Sequence, residues 1–231
     1  AVRPAFPPPS SIRCWRAVLA VLAGCSADGY ESGDGKYSYM RADFVEMHSD
    51  AGESVDYVVT DDGQRLVTSP PFTLSWITEP DSVYRALMYY NLTYNASGEA
   101  CAKALSVVRV PVLNIVPLRQ TDNVPTDPVT FESAWLSAEG RYLNMCVVLK
   151  SGTSDDNGGV QTVGVVEDKT EGLPDGGTCA VLRFMHDQGG VPEYYSVRKY
   201  LSIRTADIGA DAVRIRINTY SGETEKLVFL R

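Results

Sequence analysis

The sequence has little of what active sites and metal centres are commonly built from. Its 231 residues include two histidines, His48 and His186, and five cysteines. It contains no His-Glu-x-x-His pair, no phosphate-cradling glycine motif and no Gly-x-Ser-x-Gly turn. We therefore predict a protein that is not an enzyme, with no catalytic residue, metal site or cofactor. His186, at the end of a predicted strand, is expected to be a structural hydrogen-bonding residue.

Basic clusters and long apolar runs are also missing. The net charge is −8 and the isoelectric point is about 4.8. Nucleic-acid binding depends on Lys and Arg that meet phosphates, so we expect no nucleic-acid partner. The apolar run Ala17–Ala23 is much shorter than the roughly 20 residues that a membrane-spanning helix needs. No transmembrane helix is predicted.

That short run has the layout of a bacterial lipoprotein leader. Arg13 and Arg16 precede it, and small residues follow it, as in a secretory signal with a positive n-region. Its end resembles a lipobox, in which a cysteine thiol is acylated and the leader is cut just before it. The residues concerned are Leu22, Ala23, Gly24 and the lipid-bearing Cys25. Residues 1–24 are therefore predicted to be a signal peptide.

The predicted lipid anchor determines the expected cellular location. Stable attachment through lipid takes two or more chains, a condition that a fully acylated lipoprotein meets. Residues 25–36 are small and polar, as in a flexible tether that holds a folded body away from the membrane. We expect a lipid-anchored protein of the cell envelope, at the outer membrane, with the periplasmic and surface faces both left open.

The chain after residue 37 has the alternation of β-strands. An Asp61-Asp62-Gly63 turn predicts a hairpin that places Val55, Tyr57 and Val59 on one face. Pro70-Pro71 is expected to interrupt the strand pattern. Val83–Tyr94 fits a helical stripe in part, but its tyrosines and Thr93 favour a strand. The first half is therefore predicted to be β.

The second half alternates more clearly. Tyr142–Lys150 carries an apolar residue at every second position, and Val213–Ile217 alternates apolar and basic residues, as in a strand with one wet face. Short strands separated by glycine-rich turns predict an antiparallel β-sandwich. The polar stretch 119–128 has two prolines and is the predicted boundary between domains at 37–118 and 129–231.

The cysteines beyond the leader do not form a framework. Cys101, Cys146 and Cys179 are odd in number and widely spaced, so they indicate neither a set of disulfides nor a zinc site. Buried free thiols are the favoured interpretation. A disulfide between Cys146 and Cys179, on strands expected to be neighbours, is left open.

Several short motifs resemble the NigD-like lipoproteins. They are Gly140-Arg141-Tyr142-Leu143-Asn144, Arg183-Phe184-Met185-His186-Asp187, Pro192-Glu193-Tyr194-Tyr195, Tyr200-Leu201-Ser202-Ile203 and Asn218-Thr219-Tyr220. The order of lipobox, tether and Asp-Asp-Gly hairpin is also similar. The resemblance implies an all-β protein with an N-terminal OB-like β-barrel and a C-terminal β-sandwich. The family takes its name from a gene in a bacteriocin operon, for which an immunity role was proposed.

Two functions follow as expectations. The first is a non-enzymatic envelope lipoprotein that binds a protein partner, as an immunity factor would. The alternative is a glycan-binding lipoprotein. OB-folds can bind oligosaccharides on one face, where Trp76, Tyr89 and Tyr90 would stack on the ligand. Aromatic residues in strands also commonly belong to the core.

Overall fold

A closed five-stranded barrel forms the first part of the computed structural model, which describes residues 40–118, 124–153 and 159–230. Its strands are β1 (Met40–Ser49), β2 (Val55–Thr60), β3 (Arg65–Phe72), β4 (Val83–Tyr94) and β5 (Ala100–Arg109). They pair in the order β1-β2-β3-β5-β4, and β1 closes the barrel on β4. Only β3 and β5 pair in parallel. This order confirms the OB-like barrel and the strand predicted at Val83–Tyr94.

Alternation along the strands fills the barrel. Val45 and Met47 of β1 and Ala86 and Met88 of β4 are buried in one apolar cluster. The intervening residues of each strand therefore point away from the barrel axis. The side chains at odd-numbered positions of β4, including Arg85, consequently point out of the barrel.

One face prediction in β2 is wrong. Val55 and Val58 are buried in the barrel core, whereas Tyr57 stacks on His48 outside the core. The register between β2 and β3 shifts between Val55 and Tyr57. Such a bulge moves later side chains to the opposite face, because the period of a strand is two residues.

The prolines of β3 do not end the strand. β3 runs to Phe72, which pairs with Val55, so the predicted interruption at Pro70-Pro71 is wrong. Within β3, the residues paired with neighbouring strands are Arg65–Thr68 and Phe72. Pro70 and Pro71 lie between them, where their missing N–H groups interrupt no cross-strand pairing.

A β-sandwich follows the barrel. Its strands are β6 (Ile115–Pro117), β7 (Thr130–Leu136), β8 (Tyr142–Ser151), β9 (Thr162–Gly172), β10 (Thr178–Asp187), β11 (Tyr195–Arg204), β12 (Ala212–Thr219) and β13 (Gly222–Phe229). One sheet has the order β13-β12-β10-β9-β6, and the other has the order β11-β8-β7. The pairs β10–β12 and β6–β9 are parallel, and the remaining pairs are antiparallel.

The inner faces of the two sheets form the larger core. Met145 and Val147 of β8 pack there with Val213, Ile215 and Ile217 of β12. The alternation predicted for both strands is therefore confirmed. On the wet face of β12, Arg214 forms an ion pair with Glu171 and Arg216 forms one with Glu225.

The chain enters the sandwich before the stretch predicted as a boundary. Ile115–Pro117 pairs with β9, although the predicted barrel domain extends to residue 118. The described part of the stretch, Val124–Pro128, is also tied to the sandwich, since the Thr126 segment bridges to His186. Barrel and sandwich belong to one compact unit. Within the described residues, no helix has the length and apolar character required to cross a membrane.

The three cysteines of the described chain are free and buried. Cys146 lies on β8 and Cys179 on β10, which belong to different sheets, so the expectation of neighbouring strands is wrong. Alternating neighbours of both residues fill the core between the sheets, so the two thiols point away from it on opposite sides. A disulfide between them would require the sandwich to rearrange.

Cys146 is expected to resist alkylation in the folded protein. Burial, with the carboxylate of Glu132 3.1 Å from Sγ, raises the pKa of the thiol to about 12. At pH 8 this lowers its thiolate fraction roughly 1,000-fold relative to a free cysteine. Iodoacetamide labelling followed by peptide mass spectrometry should modify Cys146 rapidly only after unfolding in urea. Equal rates in buffer and in urea would contradict the buried environment.

Candidate functional site

The predicted lipid site lies outside the described residues. This applies to Cys25, to the lipobox residues Leu22, Ala23 and Gly24, and to the tether at 25–36. Their roles remain predictions from the sequence.

The three aromatic residues proposed to stack on a glycan do not share a face. Tyr90 is 1% exposed inside the barrel, where its hydroxyl donates to Asp43 over 2.8 Å. Tyr89 follows the opposite alternation and points outside. Trp76 lies in the β3–β4 connection and packs edge-to-face on Tyr84 at 5.9 Å. The predicted platform is therefore not assembled, because adjacent strand residues face opposite sides.

Three of the motifs that resemble those of the NigD-like lipoproteins, which contain Asp61, Asn144 and Ser202, meet at the joint between barrel and sandwich. Arg85 leaves the barrel from β4, and its side chain is 1% exposed. Its Nη1 lies 2.6 Å from Oδ1 of Asp61, and its Nη2 donates to Oδ2 of Asp61 over 2.8 Å. Nη2 also donates to Asn144 over 3.2 Å. One arginine thus links a barrel strand, the Asp-Asp-Gly hairpin and the sandwich strand β8.

Neighbouring motif residues complete this joint. Asn144 donates to Asp61 over 3.2 Å and accepts from the Ser202 hydroxyl over 2.7 Å. The guanidinium of Arg85 lies 4.2 Å from the ring centre of Tyr142, within the range of a cation–π interaction. The Tyr142 hydroxyl donates to Glu46 over 2.7 Å. Burial, followed by Glu46, raises the pKa of Tyr142.

The hairpin turn fits the joint through glycine. Gly63 has φ +79°, and a Cβ atom there would lie 2.0 Å from Oε1 of Glu139. The N–H of Glu139 donates to the carbonyl of Asp61 over 3.1 Å. The Asp-Asp-Gly motif therefore serves both a tight turn and the contact with the sandwich.

A second set of motif residues holds the segment that leads into β7. The N–H of His186 donates to the carbonyl of Pro125 over 3.0 Å, and its Nδ1 lies 3.1 Å from the carbonyl of Asp127. Asn218 donates to the carbonyl of Thr126 over 2.7 Å. His186 is fully buried in this arrangement. Its contacts are those of a residue that fixes the backbone.

The remaining histidine is also packed. His48 stacks on Tyr57 with ring centres 4.2 Å apart, and Arg65 lies 4.0 Å from the same ring. Because β2 lies between β1 and β3, the two residues approach Tyr57 from its two sides. Burial lowers the pKa of His48. In the described ranges, no group of three or more His, Cys, Asp or Glu side chains is arranged to hold a metal ion.

Three exposed tyrosines lie at one end of the sandwich. Tyr194 is 75% exposed, Tyr195 is 51% exposed and Tyr220 is 49% exposed. Tyr194 and Tyr195 stand where the β10–β11 connection enters β11, and Tyr220 stands in the β12–β13 turn. We call these three residues the tyrosine end. Tyrosine supplies large, rigid contact area with a polar tip, which is why binding loops are rich in it.

The connections that carry these tyrosines are held by hydrogen bonds. Asp127 accepts from the N–H of Gln188 over 2.7 Å, and Asp187 accepts from the N–H of Gly189 over 2.8 Å. The side chain of Gln188 donates to the carbonyls of Lys150 and Val191. The β10–β11 connection is thus tied to the strand β8 and to the segment before β7.

A groove lies beside Tyr220. It has a volume of about 440 Å³ and runs between the start of β7 and the β12–β13 turn. Val129, just before β7, and Phe131 of β7 line one side, and Tyr220 of the turn and Glu223 at the start of β13 line the other. Tyr220 and Glu223 therefore border the same small space.

Reasoning from the sequence missed the tyrosine end. The motifs that contain Tyr194, Tyr195 and Tyr220 carry the family resemblance, and no role in binding is predicted for them from the sequence. The sequence around these tyrosines does indicate that they are exposed. Tyr194 and Tyr195 are adjacent, so a strand cannot bury both on one face, and Tyr220 precedes Ser221-Gly222 in a turn.

Gly189 should be essential for the shape of this surface. It has φ +57°, and a Cβ atom there would lie 2.0 Å from the carbonyl oxygen of Val160. Gly189→Ala is expected to displace the β10–β11 connection and lower the melting temperature. Gly190→Ala is the matched control, since Gly190 has φ +76° with open space around it and incurs only backbone strain of about 1 kcal/mol. Similar melting temperatures for the two variants would contradict the close approach.

Comparisons with known proteins bear on the fold. No protein-family model and no curated protein matches the chain. Among solved structures, a NigD-like immunity protein from Bacteroides caccae is 24% identical, with a TM-score of 0.62 over 80% of this chain and 91% of that chain. A protein of unknown function from Bacteroides vulgatus is 16% identical, with a TM-score of 0.59 over 82% and 90%.

A third solved structure is described as a lipoprotein, the class predicted for this chain. It is a candidate lipoprotein from Bacteroides fragilis, 10% identical, with a TM-score of 0.54 over 82% of this chain and 96% of that chain. All three alignments cover most of both chains, so barrel and sandwich are matched together. The chain therefore has the two-part all-β fold of the NigD-like immunity protein, as its motifs predicted.

Proposed function

We propose that this protein is a lipid-anchored cell-envelope protein without catalytic activity, which binds a protein partner in an immunity-type role. The observation that carries the proposal is the tyrosine end. Three exposed tyrosines lie at one end of the sandwich, and the β10–β11 connection that leads to two of them is hydrogen-bonded to β8 and to the segment before β7. Tyrosine is enriched among the residues that contribute most to protein–protein binding.

The joint at Arg85 supports the same proposal. A barrel and a sandwich tied by buried hydrogen bonds present the tyrosine end on a preorganised body. Preorganisation lowers the conformational entropy that binding removes. The similarity of fold to a NigD-like immunity protein supports the immunity-type role, and the lipobox at Cys25 supports the anchor at the outer membrane.

The proposed lipid anchor is tested by fatty-acid labelling in the native host. Wild type and Cys25→Ala would be grown with a labelled fatty acid and recovered through a C-terminal tag. We expect label on the wild type alone, because the acyl chain requires the thiol of Cys25. Label on neither protein would refute the lipid anchor.

The binding role is tested at the tyrosine end. The triple variant Tyr194→Ser, Tyr195→Ser, Tyr220→Ser should lose both partner capture and protection against bacteriocin in a deletion strain. Tyr94→Ser is the control, since Tyr94 is exposed on the barrel strand β4. Unchanged capture and protection in the triple variant would exclude this surface. Binding to a glycan array instead, lost in the triple variant, would favour the glycan-binding alternative.

A further inference from the structure

The segments around the tyrosine end are uniformly acidic. Residues 124–129, 187–195 and 219–224 contain four carboxylates and neither lysine nor arginine. The carboxylates are Asp127, Asp187, Glu193 and Glu223. Elsewhere the protein pairs its charges, for example where Arg198 meets Glu132 and where Arg214 meets Glu171. The end of the sandwich that exposes its tyrosines therefore differs in charge from the outer faces of the sheets.

These four carboxylates form no ion pair with the described residues. Asp127 and Asp187 each accept a backbone N–H. Such a bond leaves the negative charge uncompensated. A partner that supplies positive charge would gain electrostatic energy at these carboxylates. Two basic residues adjoin them: the charge of Arg216 interacts with that of Glu223, and the amine of Lys150 donates to Ser196, next to Tyr195.

Two of the carboxylates act on Tyr220. Burial raises the pKa of the Tyr220 phenol, and Glu193 and Asp127 raise it further. Glu223 lines the groove beside the same ring. Tyr220 is thus under the electrostatic influence of Glu193 and Asp127, and it lines a groove of about 440 Å³ together with Glu223.

We propose that this groove receives a lysine or arginine side chain of the protein partner. The proposal rests on the proposed function and specifies the chemistry of the partner. The long apolar stem of such a side chain can lie along Phe131, which is partly exposed at the edge of the core, while its charged end meets Tyr220 and Glu223. A cation over a tyrosine face is attracted by the ring quadrupole, and a carboxylate accepts its hydrogen bonds.

The test measures the binding of defined peptides by surface plasmon resonance. The full-length chain, in mild detergent, is immobilised through a C-terminal tag. β13 begins at Gly222 beside the groove and ends at Phe229, roughly 25 Å away along the strand, so the groove stays accessible. The probes are nine-residue Gly/Ser peptides with three arginines, three lysines or three uncharged citrullines.

The arginine and lysine peptides should bind at least about tenfold more tightly than the citrulline peptide. Glu193→Gln with Glu223→Gln keeps the shape and should weaken arginine-peptide binding about tenfold. Glu53→Gln with Glu79→Gln removes two exposed carboxylates from the barrel and should leave binding within about twofold.

Three outcomes would overturn this inference. They are no binding of the arginine peptide, equal binding of the citrulline peptide, and equal losses in the two double variants. The last outcome would mean general attraction to an acidic protein. If any of them occurred while the tyrosine triple variant still lost its partner, the proposed function would stand with a partner of different chemistry.

Discussion

Arg85→Met is expected to lower the free energy of unfolding by about 3 kcal/mol or more. Removing one member of a buried ion pair leaves the other charge without compensation, which costs about 3–5 kcal/mol in known cases. The lower end applies here because the Asp61 side chain retains some exposure. Asn144 would lose a donor at the same time. Urea unfolding followed by circular dichroism measures the change.

The Arg85 variant should also affect cooperativity. Arg85 joins the barrel to the sandwich, so its loss is expected to separate the unfolding of the two parts into distinguishable transitions. Tryptophan fluorescence reports on both, since Trp76 belongs to the barrel and Trp135 to the sandwich strand β7. Phe44 of β1 still packs edge-to-face on Trp135, which should retain part of the coupling.

The matched control for Arg85 is Arg198→Met. Arg198 also forms a two-pronged contact with a carboxylate, Glu132, with both N–O distances at 2.8 Å. That pair is exposed, where solvent screens the charges and ion pairs contribute little. Equal destabilisation by the two variants would show that burial of the Arg85 network contributes nothing to stability.

Local patterns in the sequence predicted the strands because each pattern reflects a single element. The alternation in β8 and β12 and the Asp-Asp-Gly turn after β2 depend on residues within one strand or hairpin. The period of a strand and the φ of a glycine act at that scale. Those features were therefore accessible before the structure was known.

Features that depend on pairing between distant segments were not accessible. The register shift between β2 and β3 moved Tyr57 to the outside of the barrel. Cys146 and Cys179 fall on different sheets, because the order of strands differs from the order along the chain. The role of Arg85 was likewise hidden, since an arginine in an alternating strand normally indicates a solvated face.

The resemblance to the NigD-like proteins rests on two kinds of residue. Most motif residues, including Asn144, Ser202 and His186, fix backbone segments or the joint between barrel and sandwich. Tyr194, Tyr195 and Tyr220 are instead among the most exposed aromatic residues of the described chain. This division separates residues that specify the fold from those on which the proposed binding depends, and the variants above test the two groups independently.

Ile215→Ala should destabilise the protein far more than Arg216→Ala, although the two residues are adjacent. Ile215 is fully buried at the centre of β12, and truncation to alanine leaves a cavity that costs about 2–5 kcal/mol. For a domain of this size that corresponds to a fall in melting temperature of roughly 5–15 °C. Arg216 points to the wet face and pairs with Glu225 over 2.8 Å, so its truncation should change the melting temperature little. Differential scanning calorimetry of both variants makes the comparison, and a large effect of Arg216→Ala with a small effect of Ile215→Ala would reverse the assignment of the faces of β12.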